Sequence, residues 1–327
     1  MHTRTLGYSG LQLSPIGLGT WAMGGGDWKF GWGAQDDAAS IAAIHAGLRA
    51  GINWIDTAAI YGHGNAETVV GQAIASWPAG RDSVVVATKC GRVWEGDSRE
   101  IGKSLKRASV FREVDASLRR LNIDVIDLYQ IHWPEPDEEV EEGWSAVADL
   151  VKAGKVRHGG VCNFNLSQLQ RAQAIHPIAS LQPPYSMLRR EIETDIVSWC
   201  EVNRVGILAY SPMQAGLLTG AFTAERAAAL PASDWRGRHP MFQEPQLSVN
   251  LRLVDRLRPI ASRLGITMSQ LALAWVLRLP QMTAAIAGAR NPAQIQETVQ
   301  AGDITLAPEV VVEIEGLLQL REQELRG

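Results

Sequence analysis

The chain has 327 residues, 46% of them hydrophobic, with a formal net charge of −4 and three cysteines. The hydrophobic share is that of a globular chain rather than a disordered one, and the slight negative charge gives no basis for a nucleic-acid or anionic-membrane partner. No run approaches the ~18 consecutive apolar residues of a bilayer span, the first 26 residues lack the apolar stretch of a signal peptide, and Cys90, Cys162 and Cys200 have neither disulfide nor zinc spacing, so a reducing, cytoplasmic compartment is expected, with no metal site.

Residues 3–6 and 11–13, joined through Ser9-Gly10, read as a small hairpin. Residues 13–19 read as a strand, 35–50 as a helix with an apolar stripe at Ile41, Ile44 and Leu48, 52–56 as a strand and 66–77 as a helix. Residues 83–89 form a β-branched run of the kind buried on both faces. The alternation continues with a helix at 107–121, strand 125–132, helix 138–152, strand 156–162, helix 166–175, strand 178–182, helix 192–203 and strand 206–211. Helices at 248–264 and 269–279, a strand at 283–287 and helices at 292–301 and 308–321 complete the chain.

About eight βα units result, the number that closes a parallel barrel. The expected architecture is α/β: one (β/α)8 TIM-barrel domain over 1–327, with an N-terminal β-hairpin plugging the N-terminal end and a C-terminal tail helix. Residues 212–246 show no periodicity and leave the C-terminal end of a strand, so a lid or cofactor strap is expected there.

Gly17-Leu18-Gly19-Thr20-Trp21-Ala22 matches the loose dinucleotide fingerprint, with Asp36 and Asp37 at about the right distance. The helix should open at the glycine turn, yet Gly24-Gly25-Gly26, Gly31 and Gly33 intervene, and the βα repeats run past a doubly wound sheet. A Tyr-x-x-x-Lys pair is absent as well, since Asn65 stands four residues after Tyr61.

Chemistry in such a barrel lies at the C-terminal ends of the strands. Asp56, Lys89 and His132 end three successive strand runs, and Tyr61 follows Asp56 in the next loop. A phenol is a weak acid near neutrality; a nearby ammonium lowers its pKa, a carboxylate keeps that ammonium charged, and a histidine can bond the same substrate oxygen. Together they suit proton delivery to an alkoxide developing as hydride reaches a carbonyl carbon. Taken singly, each has a plainer use: Asp56 as a turn cap, Lys89 as a strand-end lysine, His132 in the core, Tyr61 in loop packing. Their joint placement on consecutive strand ends points to a site. Trp21, Trp94 and Trp133 follow strand ends and are candidate aromatic walls for substrate, whereas Trp54 and Trp275 lie in apolar runs and read as core. Cys90, next to Lys89, has two readings, a redox-sensitive thiol and a packing residue, and the packing role is favoured.

These blocks resemble the aldo-keto reductase superfamily. The resemblance runs through Leu18-Gly19-Thr20-Trp21, Asp56-Thr57-Ala58 with Tyr61-Gly62, Ala87-Thr88-Lys89, the stretch from Asp127 to Pro134, Gly160-Val161-Cys162-Asn163-Phe164, Gln182-Pro183-Pro184-Tyr185, Tyr210-Ser211-Pro212, Gly216-Leu217-Leu218-Thr219-Gly220 and Gly288-Ala289-Arg290. The His-Trp-Pro and Gln-Pro-Pro-Tyr blocks look most like the bacterial inositol-utilisation and general-stress reductase branch. The resemblance implies that Tyr61 is the general acid, Lys89 tunes it, Asp56 pairs with Lys89 and His132 orients the carbonyl. It implies that Asn163 and Gln182 hold the nicotinamide carboxamide, with Cys162 beside them, and that Tyr210 stacks on the ring. Thr20, Trp21, Ser211, Met213, Gln214, Gly216 and Leu217 would line the cofactor path. Gly288, Arg290, Gln294, Glu297 and Thr298 would surround the adenosine phosphate.

Three positions depart from the family pattern: Cys162 stands where serine is expected, Gln294 where many relatives carry arginine, and Thr298 where they carry asparagine. A thiol is a weak donor, and the other two changes loosen the grip on the adenosine end. Arg290 can clamp a phosphate bidentately, which favours NADPH over NADH. The expected function is NADP(H)-dependent reduction of a small-molecule carbonyl substrate, by a monomer or weak oligomer. The rivals are an NADH-preferring alcohol dehydrogenase, a slow-turnover cofactor-binding regulatory subunit of the same fold, and a non-redox barrel using Asp56 and Glu67 as paired carboxylates.

Overall fold

A computed structural model describes residues 1–26, 28, 31, 33–96, 98, 100–231 and 234–326. The chain opens with an antiparallel hairpin, β1 (Arg4–Thr5) and β2 (Gln12–Leu13). Then follow β3 (Ile16–Gly19), α1 (Asp37–Arg49), β4 (Trp54–Asp56), α2 (Asn65–Ala75) and β5 (Val85–Cys90). A second hairpin, β6 (Arg92–Val93) with β7 (Gly102–Lys103), interrupts the alternation. It resumes with α3 (Arg107–Leu121), β8 (Ile126–Ile131), α4 (Val140–Lys152), β9 (Val156–Cys162), α5 (Leu166–Gln173), β10 (Ser180–Gln182), α6 (Ile196–Val202) and β11 (Gly206–Ala209). The last elements are α7 (Ala224–Ala228), α8 (Gln246–Leu264), α9 (Met268–Val276), β12 (Met282–Gly288), α10 (Pro292–Val299) and α11 (Pro308–Arg326).

Eight of the strands close into a parallel barrel in the order β10-β11-β12-β3-β4-β5-β8-β9, the expected (β/α)8 fold. A strand covered on both faces is mostly apolar, and β8 is buried at every position, its polar Asp127 and Gln130 included. The helices cover the outside with one face each, as Ile44, Val70, Val114, Trp144 and Val147 do in the main core. The caps follow sequence. Asp36 accepts from the Ala39 amide at 2.8 Å at the head of α1, and Asn165 with Gln168 and Thr267 with Gln270 form capping boxes on α5 and α9.

The N-terminal hairpin closes one end of the barrel. Leu6 and Leu13 are fully buried in a cluster with Trp54, Leu128, Ala179, Leu208 and Ala284 from the strands. Trp54 donates its indole N–H to the Ser14 carbonyl at 2.9 Å. A Cβ on Gly17 would fall 2.1 Å from that indole, and one on Gly19 2.7 Å from the Ile286 side chain. These two glycines therefore serve strand packing, which accounts for the fingerprint-like spacing without a phosphate turn.

Boundaries shift where local chemistry intervenes. Residues 13–19 split into two strands at Ser14-Pro15, and the helices expected at 138 and 192 begin as 3-10 turns, Asp137–Glu139 and Glu191–Glu193. The run 212–246, whose Ala232 and Ser233 lie outside the described residues, is built of short turns and α7 rather than open loop. Arg236 and Asp234 form a buried ion pair at 2.7 Å within it, and Phe222 packs edge-on against Phe242. Among the described residues, no helix is long and apolar enough to cross a membrane.

Candidate active site

Lys89 occupies the penultimate position of β5 and is buried. An ammonium has three protons and no acceptor, and a buried one must place all three. Lys89 Nζ donates to Asp56 Oδ2 at 2.7 Å, to the Thr57 carbonyl at 2.9 Å and to the Tyr61 hydroxyl at 3.4 Å. The other carboxylate oxygen of Asp56 accepts from Gln182 Nε2 at 2.8 Å. Gln182 ends β10, four places round the ring from β4, so this bond crosses the barrel.

Burial is the largest influence on Tyr61, Lys89 and His132. It raises the Tyr61 phenol above its ordinary value, with Lys89 pulling down and Asp56 pushing up. Sequence reasoning anticipated only the pull from lysine; desolvation outweighs it, and the phenol is held in its acid form. Burial opposes the charge on Lys89, yet Asp56, Tyr61 and Cys162 together outweigh it and hold the ammonium above its ordinary range. His132 is held well below the usual histidine range by burial and then by the charges of Lys89 and Arg92, so its imidazole is neutral.

An aromatic shell surrounds the phenol. The Tyr61 ring stacks on Trp21 at 5.8 Å, tilts against Trp28 at 5.9 Å and meets His132 edge-on at 5.8 Å between centroids. Trp94 packs into the same cluster and meets His63 edge-on at 5.4 Å. Trp133 is 38% exposed and has the Arg92 guanidinium over its face. Sequence reasoning missed Trp28, which sits among glycines with no periodic signal.

Several other candidate residues converge on the same mouth. Asn163 adopts a left-handed backbone (φ 62°); its side chain donates to the His132 carbonyl at 3.0 Å and accepts from the Tyr210 hydroxyl at 2.9 Å. Cys162 Sγ lies 3.7 Å from Gln130 Oε1, and its thiol is pushed up by burial. Thr20 donates its hydroxyl to the Asp56 carbonyl at 3.2 Å. After β11, Ser211, Gln214 and Ala215 have φ near 50° and Gly216 has φ 95°. A run of left-handed residues is costly for L-amino acids and typical of ligand-holding turns. A Cβ on Gly216 would meet nothing closer than Arg236 Nη1 at 3.9 Å, which leaves that backbone open to a ligand.

The remaining candidates are committed elsewhere. Within that turn, Leu217 is in the main core, Met213 packs against it, and the Gln214 amide bonds Ser186 Oγ at 3.0 Å and Met241 Sδ at 3.0 Å. Of the residues expected at the adenosine end, Gly288 is exposed. Arg290 donates to Gln35 Oε1 at 2.8 Å and to the Ala34 carbonyl at 2.6 Å, and its amide is held by Gln294 Oε1 at 2.8 Å. The Thr298 hydroxyl bonds the Gln294 carbonyl at 3.1 Å, and Glu297 takes the Thr267 hydroxyl at 2.8 Å. Glu67 is fully buried, with one oxygen on Thr88 Oγ1 at 2.6 Å and the other on Arg120 Nε at 2.6 Å. It shares no hydrogen-bond partner with Asp56, so the paired-carboxylate rival has no geometric basis.

A parallel barrel with a buried carboxylate–ammonium–phenol chain at its mouth, beside a carboxamide-bearing ring of residues, defines a cofactor-dependent carbonyl oxidoreductase. The aldo/keto reductase family profile matches residues 15–319, and the chain belongs to that family. It is similar to the aldo-keto reductase YhdN of Bacillus subtilis (strain 168), 37% identical over 98% of this chain and 94% of that protein. It is 36% identical to an NADH-specific methylglyoxal reductase of Escherichia coli (strain K12), over 92% of this chain and 94% of the other. Among solved structures it resembles the glycerol dehydrogenase AKR11B4 of Gluconobacter oxydans, with a TM-score of 0.88 and 35% identity over 98% of this chain and 95% of that one. The chain is accordingly an oxidoreductase that works with a nicotinamide cofactor.

Proposed function

We propose that this chain, as one barrel domain, reduces small aldehydes or ketones to alcohols, with Tyr61 giving the proton to the substrate oxygen. The observation that carries this reading is the buried chain Asp56–Lys89–Tyr61, with contacts of 2.7 and 3.4 Å from Lys89 Nζ. A reduced nicotinamide, when bound, supplies the hydride. Its carboxamide suits Gln182, whose Nε2 is anchored on Asp56. Asn163 can join in once Tyr210 releases its Oδ1.

Tyr61 stays protonated through neutral pH because burial disfavours phenolate. As its proton passes to the developing alkoxide, negative charge appears on the phenol oxygen beside Lys89 Nζ. The ammonium is already oriented and charged through Asp56, so stabilisation comes without reorganisation. The neutral His132 has an N–H to offer the same alkoxide oxygen. Trp21, Trp28 and Trp94 keep water from the phenol.

Arg290 at the adenosine end favours NADPH, since a guanidinium can take a 2′-phosphate bidentately. NADH is the second reading. It is favoured by the NADH-specific relative and by the prior commitment of Gln294 and Thr298 within α10. The three unpaired cysteines, all buried, suit the cytoplasm, and a monomer or weak oligomer is the working state.

The decisive experiment is Tyr61→Phe. We expect kcat for aldehyde reduction to fall by at least ~10²-fold, the lower end for a positioned general acid, with cofactor affinity unchanged by tryptophan fluorescence titration. A variant that keeps wild-type kcat with several aldehydes would remove the proton-donor assignment.

A further inference from the structure

We infer that Arg92 is an anchor for an anionic group on the substrate, so that the preferred carbonyl compounds carry a carboxylate; the inference rests on the reductase reading above. Arg92 opens the β6–β7 hairpin three residues after Lys89. Its side chain is only 14% exposed, and its Nη2 donates to Glu135 Oε2 at 2.7 Å. Its guanidinium carbon lies 5.7 Å from the centre of the Trp133 ring. Yet Nη1 is buried and bonds no group among the described residues.

An N–H without a protein acceptor is expensive for a buried, charged donor. An arginine offers five N–H groups in a rigid fork, and leaving a buried, charged one unpaired costs more than leaving a neutral one unpaired. An acceptor completing the fork would relieve that cost. The local charge says which kind. Glu135 is shared between Arg92 and Lys103 Nζ, the latter at 2.8 Å, so two cations hold one carboxylate and a positive charge is left over. The register Arg92↔Lys103 places both at the same end of the hairpin.

The position relative to the chemistry follows from the strand ends. The His132 amide donates to the Cys90 carbonyl at 3.0 Å, which ties the end of β8 to the turn that carries Arg92. Trp133, under the guanidinium, is the residue after His132. The Arg92 charge also reaches His132, where it helps to hold the imidazole neutral. One open nitrogen and one surplus charge match a single carboxylate better than a dianionic phosphate, which would need more donors.

The test compares ω-oxo acids with neutral aldehydes of the same skeleton, using the full chain and its preferred cofactor. Suitable pairs are 4-oxobutanoate with butanal, 5-oxopentanoate with pentanal, and 4-carboxybenzaldehyde with benzaldehyde. We expect kcat/KM for at least one acid to exceed that of its neutral partner by about tenfold or more, chiefly through KM. That is the factor one charge-assisted hydrogen bond gives. Arg92→Gln should lower the acid-to-neutral ratio by about the same factor, and Arg92→Lys should restore part of it. Because the readout is a ratio, a general loss of folded enzyme cancels. Turnover of the neutral aldehydes with no acid advantage, or a ratio that Arg92→Gln leaves unchanged, overturns this inference alone. A chain that turns over neither set overturns the reductase reading and this inference with it.

Discussion

Lys89 and Asp56 form an ion pair of 2.7 Å in which both partners are buried. A buried pair is costly to assemble but much costlier to break, because the survivor is left as an uncompensated charge. Lys89→Met should therefore destabilise the fold by about 3–5 kcal/mol as well as depress kcat. Lys89→Met with Asp56→Asn should recover much of the stability and none of the rate. Urea denaturation of the three proteins, alongside kcat, separates the two effects.

The protonation state of Tyr61 makes a prediction in pH. The donor must carry its proton, and burial raises its pKa above the ordinary phenol value. The chemical step of aldehyde reduction should thus stay level through pH 9 and decline only beyond the usual phenol pKa of ~10. Single-turnover rates across pH 6–10 test this; a falling limb centred near neutrality would assign the proton to another group.

Glu113 on α3 should give the fold a pH dependence of its own. Its carboxylate accepts from the Gly91 amide at 2.8 Å and from Ser109 Oγ at 3.0 Å, and burial raises its pKa to about 7. A raised folded pKa means the native state holds a proton that the unfolded chain has lost. The stability this gives is present below the unfolded value of ~4.3 and is lost as pH rises through 7. Between pH 5 and 8 wild-type stability should decline by on the order of 1–3 kcal/mol from this group, and Glu113→Gln should flatten that slope. Melting curves of both proteins over this range are the check.

Gly62 holds the backbone that follows the phenol. It has φ +61°, and a Cβ there would fall 1.9 Å from the Gly24 carbonyl oxygen. Gly62→Ala must push the 24–26 segment away or move Tyr61, so we expect a loss of roughly 2–4 kcal/mol, in the upper range for point mutations, with kcat reduced well beyond the loss of folded protein. Thermal denaturation together with active-site titration would show it.

Arg290→Ala should weaken NADPH binding by about 1.5–3 kcal/mol, the range for a hydrogen bond to a charged group, and leave NADH binding nearly unchanged. Equal losses would mean that Arg290 acts only through its bonds to Ala34 and Gln35. Fluorescence titration with both cofactors distinguishes these outcomes.

The barrel and the catalytic candidates were legible because both write themselves into short, dense patterns. β5 and β8 are dense β-forming runs rich in apolar residues, and each delivers a polar residue at or just past its end, Lys89 and His132. The β6–β7 hairpin was not legible: two-residue strands carry no periodicity, and its pairing joins Arg92 to Lys103 and Val93 to Gly102 across the residues between them. Nor were the commitments of Gln214, Leu217 and Thr298, whose side chains bond or pack within the protein. Motif position fixes where a backbone passes a ligand, but not which way a side chain turns. The net direction of the Tyr61 shift was missed for a related reason, since desolvation depends on what packs around a group in space.

The bond between Gln182 and Asp56 joins residues 126 apart in sequence and spans opposite strands of the ring. It cannot form until both arcs of the cylinder have met. A chain with one arc misplaced lacks the tether on Asp56 and, through it, the orientation of Lys89. The site thus works like a clasp on a bracelet: it engages only when the circle is whole. Specific activity in a refolding reaction should therefore rise in step with ring closure and not with helix content, which makes turnover itself a gauge of complete assembly.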